Sequence, residues 1–292
     1  MMRSAIAGLF GLTLAMSAPA QAQTVKVGSK NFTEQYIVAE IYAQALEHAG
    51  IKVERKVNLG GTLIAHKALT NGDIDLYPEY TGTALLAVLK GKVASDPQQV
   101  FSEVKGFYER EFKLTWLTPT RVNNGYAMIV RPETAARDKL TTLSSLAGPA
   151  KGMVIGIGSE FIDRYDGLPG LKQVYGVEFK EFKLFAKLGL RYDALAGKQV
   201  DMANGFATDW QIAENKLVVL TDDKNLFPPY YLAPVIRQDT LQANPKIADI
   251  LNKVSVVLDT ETMRGLNAEV ERDKEEPADV AKSWLTAKGF LK

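Results

Sequence analysis

Apolar positions along the chain alternate between short runs of period two and longer runs of period three to four. Val25-Lys-Val27 has the pattern of a short strand. Ile37, Ile41 and Ala45 then recur at helical spacing, Asn31 and Glu34 stand as in a capping box, and Gly50 closes the element. Residues 51–57 alternate like a strand, residues 62–69 have helical spacing, and residues 73–77 read as a strand again. Strands alternating with helices predict an α/β fold with largely parallel sheets.

The pattern recurs 126 residues later: Gly50-Ile51 matches Gly176-Val177, Ala68-Leu69 matches Ala194-Leu195, Ile74-Asp75 matches Val200-Asp201, and Tyr80 falls on Phe206. Gly28-Ser29 resembles Gly158-Ser159 at an offset of 130. Such a repeat predicts two similar α/β lobes, with the ligand beyond the carboxyl ends of the strands, where Tyr80 and Phe206 both lie. The turn-rich stretches 118–125 and 227–230 predict two crossings between the lobes. Lobe 1 is then 23–124 plus 229–292 and lobe 2 is 125–228, with helices from about residue 244 onward packing on lobe 1.

Residues 1–22 stand apart. Arg3, an apolar run over residues 5–16 and Ala20-Gln21-Ala22 follow the order of a secretory signal peptide cleaved after Ala22. With no Cys to carry a lipid, the expectation is an exported, soluble, periplasmic protein.

Composition narrows the chemistry. Lys+Arg is 35 against Asp+Glu 34, which gives no overall electrostatic reason to expect nucleic acid or an anionic membrane as partner. No Cys and two His exclude thiolate and His-rich metal sites. His48 and His66 read as surface residues, and the pairs Asp73/Asp75 and Asp222/Asp223 as solvated turns. No Walker or dinucleotide loop is present, and Gly156-Ile-Gly-Ser-Glu160 lacks the second flanking glycine of a nucleophile elbow. No catalytic constellation and no cofactor are expected.

Four aromatics stand where loops should meet the cleft: Tyr80, Tyr126, Phe206 and Tyr230. Taken singly, each fits a core or turn packer at least as well. Their coincidence at two repeat-equivalent strand ends and two crossings favours a cage of π faces, which attracts a quaternary ammonium group.

The chain resembles the substrate-binding proteins of bacterial ABC importers for glycine betaine, choline, carnitine and related osmoprotectants. The resemblance rests on residues 28–35 (GSKNFTEQ), 75–83 (DLYPEYTGT), 189–192 (GLRY), Thr208-Asp209, and 227–230 (FPPY) leading to 233–237 (APVIR). It implies a two-lobed periplasmic binding protein fold (type II-like), two crossing strands and a ligand cleft between lobes. It further implies that Tyr80, Tyr126 and Tyr230 are cage tyrosines, with Phe206 where many members have Tyr. Lys30, Gln35, Thr83 and Arg164 match positions that contact the ligand's carboxylate or the opposite lobe. The implied partners are a betaine-type small molecule and an ABC permease with its cytoplasmic ATPase, with a monomer expected. An enzyme or a sensor subunit on the same scaffold is the alternative.

Overall fold

The computed structural model describes residues 24–291, so the signal-peptide reading lies outside the described residues. Among the described residues ten strands form two five-stranded sheets: β1 (Val25–Gly28), β2 (Val53–Lys56), β3 (Leu76–Tyr80), β4 (Leu114–Trp116), β5 (Tyr126–Val130), β6 (Val154–Ile157), β7 (Glu181–Leu184), β8 (Met202–Phe206), β9 (Val218–Leu220) and β10 (Leu232–Arg237). Their orders are β2-β1-β3-β10-β4 and β7-β6-β8-β5-β9. Each sheet defines a lobe, lobe 1 the first and lobe 2 the second.

The two orders are the same order. β1 runs parallel to β2 and β3, and β10 runs antiparallel to β3 and β4. In lobe 2, β6 runs parallel to β7 and β8, and β5 runs antiparallel to β8 and β9. The repeat extends to single side chains. Asp75 accepts from the Lys26 backbone N–H at 2.7 Å, and Asp201 from that of Val154 at 2.9 Å. Arg237 donates to the Leu69 carbonyl at 3.2 Å, and Arg131 to the Leu195 carbonyl at 2.6 Å. Each carboxylate fixes the start of a parallel pair, and each arginine closes the end of the helix that precedes the third strand.

These contacts correct two expectations. Asp75 is buried and structural, and Asp222 accepts from the backbone N–H groups of Leu226 and Phe227, so neither belongs to a solvated turn; Asp73 and Asp223 are exposed. The third strand starts at Leu76 rather than residue 73, because Asp75 already binds Lys26 through both its backbone N–H and its carboxylate. It runs on through Pro78 to Tyr80, because Pro78 faces Pro234 on β10, a rung at which neither strand has an N–H to offer.

The helix Thr33–His48 begins with Phe32 in the cap position and no side-chain cap, so Asn31 does not cap it and Glu34 is left for other partners. Its buried residues include Ile37, Val38, Ile41, Tyr42 and Leu46, a wider face than the single stripe of the sequence. One side meets the lobe 1 sheet, and the other meets the C-terminal helices Thr260–Glu271 and Pro277–Ala287. His48 is exposed, but His66 is half-buried against Tyr108 (5.3 Å) and Phe112 (4.7 Å), and burial lowers its pKa.

The lobes are joined by two strands lying side by side. Asn124 N–H donates to the Tyr230 carbonyl and Leu232 N–H to the Val122 carbonyl, both at 3.0 Å, and Asn123 bridges Tyr231. Among the described residues no helix is long and apolar enough to cross a membrane.

Candidate functional site in the interlobe cleft

The carboxyl ends of β3 and β8 and the two crossings open onto one cleft of about 1470 Å³. Lys30, Phe32, Glu34, Tyr80 and Thr83 line it from lobe 1, Tyr126, Arg164, Arg191 and Phe206 from lobe 2, and Asn124 and Tyr230 at the crossings. Its volume exceeds the ~300–1,000 Å³ of an ordinary small-molecule site, as befits a groove open at its rim.

Tyr126, first residue of β5, is the centre of the lobe 2 wall. It stacks on Phe206 at 5.3 Å, meets Phe161 edge-on at 5.0 Å and Tyr230 at 6.0 Å, and tilts against Phe227 at 5.7 Å. Tyr230 reaches this cluster because Gly82 stands beside it: a Cβ there would fall 2.8 Å from the Tyr230 ring. Thr81 staples the end of β3 to the same crossing, donating to the Pro229 carbonyl at 2.9 Å and accepting from Tyr231 N–H at 3.0 Å. Tyr80 has no ring contact with Tyr126, Phe206 or Tyr230. It stands in the lobe 1 wall, stacked on Phe32 at 6.4 Å. Burial raises the hydroxyl pKa of Tyr80, Tyr126 and Tyr230, so all three stay neutral donors.

Glu34 organises the lobe 1 wall. Its carboxylate accepts from Tyr80 Oη–H at 2.7 Å, Asn124 Nδ2 at 2.9 Å and Asn267 Nδ2 at 3.1 Å. The same asparagines reach lobe 2, because Asn124 accepts from Thr208 N–H at 3.3 Å and Asn267 donates to the Thr208 carbonyl at 3.2 Å. Arg264 donates to the Ala207 carbonyl at 2.8 Å, and Glu271 accepts from Trp210 Nε1 at 2.9 Å. The helix Thr260–Glu271 thus fastens lobe 1 to residues 207–210. On the far rim, Glu160 of lobe 2 lies against Gly61 at the start of the helix Thr62–Asn71, where a Cβ would be 2.7 Å from its Oε1. Unpaired N–H groups at that helix end favour the carboxylate.

All four aromatics expected from the sequence line the cleft, and so do Lys30, Thr83 and Arg164. Lys30 is ion-paired with buried Glu79 at 2.6 Å, with its ammonium 4.7 Å from the Tyr80 ring centroid. Arg164 makes a two-pronged pair with fully buried Asp166, at 2.8 and 2.6 Å, and Asp166 also receives the Tyr230 hydroxyl. Gln35 does not line the cleft. It is buried behind the wall, where its Oε1 accepts from Lys30 N–H at 3.2 Å. The sequence reading missed Glu34, Asn124, Asn267 and Arg191, although Glu34 stands inside residues 28–35 and Arg191 inside residues 189–192.

A family model described as the substrate-binding domain of ABC-type glycine betaine transport systems matches residues 23–287. The chain belongs to this family. It is 34% identical over 272 residues to the carnitine transport binding protein OpuCC of Listeria monocytogenes, covering 92% of this chain and 88% of that one. It is 35% identical over 291 residues to a glycine-betaine-binding protein of Pseudomonas aeruginosa, covering 96% and 91%. Among solved structures, a protein described as a glycine betaine/carnitine/choline ABC transporter superposes with TM-score 0.77 at 33% identity, covering 92% of this chain and all of that one. The fold is the two-lobed periplasmic binding protein fold, and the family's members are substrate-binding components of ABC importers.

Proposed function

We propose that this protein captures a quaternary-ammonium solute of the betaine type between its lobes and delivers it, unchanged, to a membrane permease driven by a cytoplasmic ATPase. The observation that carries the reading is the Tyr126–Phe206–Tyr230 cluster facing Tyr80 in a single cleft. A quaternary ammonium has no N–H to satisfy and a full positive charge, so π faces suit it better than carbonyl acceptors do. Each ring contributes ~0.5–2 kcal/mol once desolvated. Lys30, Thr83 and Arg164 contact the ligand's carboxylate or the opposite lobe, and Gln35 acts by holding the Lys30 backbone.

Closure follows from the same geometry. The cage draws on both lobes, so a ligand gains its full set of contacts only when they are together, and that difference in affinity shifts the population toward the closed form. The pivots lie at the crossings, near residues 124–125 and 228–229. In this reading residues 1–22 are a signal peptide removed after Ala22, and the mature protein works as a periplasmic monomer.

The test is a thermal-shift panel of glycine betaine, choline and carnitine against simple cations and amino acids. Ligand at 100 times Kd raises stability by about 2.7 kcal/mol. A rise confined to quaternary-ammonium compounds, recovered chemically intact, is the expected result. No shift with any of them, or conversion of the ligand, overturns the reading.

A further inference from the structure

Two buried acids behind the cleft walls have their cations. Glu79 is paired with Lys30 and Asp166 with Arg164. Glu34 differs. It is 3% exposed and lines the cleft, and among the described residues it forms no ion pair within 4.0 Å. Its partners are all neutral: Tyr80 Oη–H at 2.7 Å and Asn124 Nδ2 at 2.9 Å on Oε1, and Asn267 Nδ2 at 3.1 Å on Oε2. Three donors converging on one carboxyl group favour its charged form, so the lobe 1 wall holds a buried anion without a cation. Asp209 in the lobe 2 wall is also bonded only to neutral donors, but burial pushes its carboxyl up to about 7, which leaves its charge partial at neutral pH.

The place of Glu34 matters as much as its charge. It stands at the hydroxyl edge of Tyr80, the aromatic of the four that lobe 1 presents to the cleft from β3. Lys30 lies 4.7 Å from the centroid of the same ring, but Glu79 answers it at 2.6 Å. A phenol that donates to an anion is polarised by it, which makes the ring face more negative. A buried charge with no counter-ion is costly to the fold, and a cation brought by a ligand removes that cost.

We propose that Glu34 is the counter-charge of the ligand's ammonium group, an anion kept buried and unpaired until a cation enters the cage. The inference rests on the cage reading above. It divides recognition in two: the rings fit the methyl groups, and Glu34 requires the atom they surround to be positive. Opposite unit charges about 7 Å apart, with a phenol between them, attract strongly enough at an effective dielectric constant of about 20 to change an affinity about 50-fold. A neutral group of the same shape fills the same rings and gains none of this.

Two pairs of probes swap the ammonium nitrogen for carbon at constant shape: glycine betaine against 3,3-dimethylbutanoate, and choline against 3,3-dimethylbutan-1-ol. Affinities come from calorimetric titration, with the weaker member of a pair read by its displacement of the stronger. The ratio within a pair isolates the positive charge. Glu34→Gln should lower that ratio about 30-fold. A loss shared by both members reports the disturbed wall and leaves the ratio alone. Tyr80→Phe, which removes the bond but keeps the anion, should hold the ratio within about threefold. Glu34→Ala removes the same charge and carries the comparison if the Gln variant does not fold. A ratio that neutral variants of Glu34 leave unchanged, or that Tyr80→Phe lowers as far as they do, overturns the proposal while leaving the cage intact. A wild type that binds neither quaternary ligand, or binds each no better than its carbon counterpart, overturns the cage reading, and this inference with it.

Discussion

Tyr126 and Phe206 are register partners on β5 and β8, and their rings stack at 5.3 Å with 24° between their planes. One belongs to a strand that enters lobe 2 from a crossing, the other to the strand that repeats β3 of lobe 1. Their stack makes the lobe 2 wall a continuous π surface. Replacing Phe206 by Leu keeps apolar volume and removes the π face, so it should weaken a quaternary-ammonium ligand by ~1 kcal/mol. Phe206→Tyr should tighten binding by a few tenths to about 1 kcal/mol. Calorimetry on the two variants checks both directions, and a Leu variant that binds as well as wild type would count against a π contribution from this wall.

Glu34 is the group on which the lobe 1 wall depends. It accepts from Tyr80, Asn124 and Asn267, three donors from three separate segments. Glu34→Gln replaces one acceptor oxygen by an NH₂ and sets a donor against a donor. The expected cost is ~1–3 kcal/mol of stability, read as a lower urea midpoint at unchanged slope. Weaker ligand binding should accompany it, because the amide cannot accept from Tyr80, Asn124 and Asn267 at once.

Asp209 sets a pH dependence. Burial pushes its carboxyl up to about 7, against the lowering effect of its bonds from Tyr192 and Phe206 N–H. The unfolded chain releases this proton near the ordinary carboxylate value, so between about 4 and 7 the folded state binds more protons than the unfolded one, and stability falls as pH rises through that window. Asp209→Asn keeps an oxygen to accept both bonds and does not titrate. Denaturant unfolding at several pH values should show a shallower fall for the Asn variant over that window; an unchanged slope would mean that Asp209 is not the group responsible.

The hydrogen bonds from the helix Thr260–Glu271 to residues 207–210 hold the lobes together and involve none of Tyr80, Tyr126, Phe206 and Tyr230. Glu271→Ala frees Trp210 Nε1 and Gln211 Nε2. It should shift the ligand-free protein toward open forms, visible as a larger radius of gyration in solution scattering, and lower affinity for all ligands by the same factor of about 3–10. A loss that depends on the ligand would place Glu271 in the binding surface instead.

Much of this was legible in the sequence for a physical reason. Repeated hydrophobic spacing reports repeated packing, so the 126-residue offset that pairs Tyr80 with Phe206 also pairs β3 with β8 in two sheets of the same order. The aromatics were legible because they lie at strand ends, where sequence position maps directly onto the cleft. The polar network was not. Glu34 stands three residues after Asn31, a spacing that reads as a cap, and only the arrival of Asn124 and Asn267 from distant segments gives it another role. Asp75 reads as a turn acid until β1 is placed beside it. Arg191 was visible as part of a motif, but its bonding to Asn204 rather than to an acid is a fact of packing that one-dimensional spacing does not carry.

The central claim is recognition of a quaternary ammonium by π faces from both lobes. The most direct test is calorimetric titration of the wild type with glycine betaine and with dimethylglycine, whose protonated tertiary amine keeps the charge and carboxylate but trades one methyl for an N–H. A cage of aromatic faces offers that N–H no acceptor, so dimethylglycine should bind at least about tenfold more weakly, a difference of ~1.4 kcal/mol. Equal or tighter binding of dimethylglycine would contradict the account.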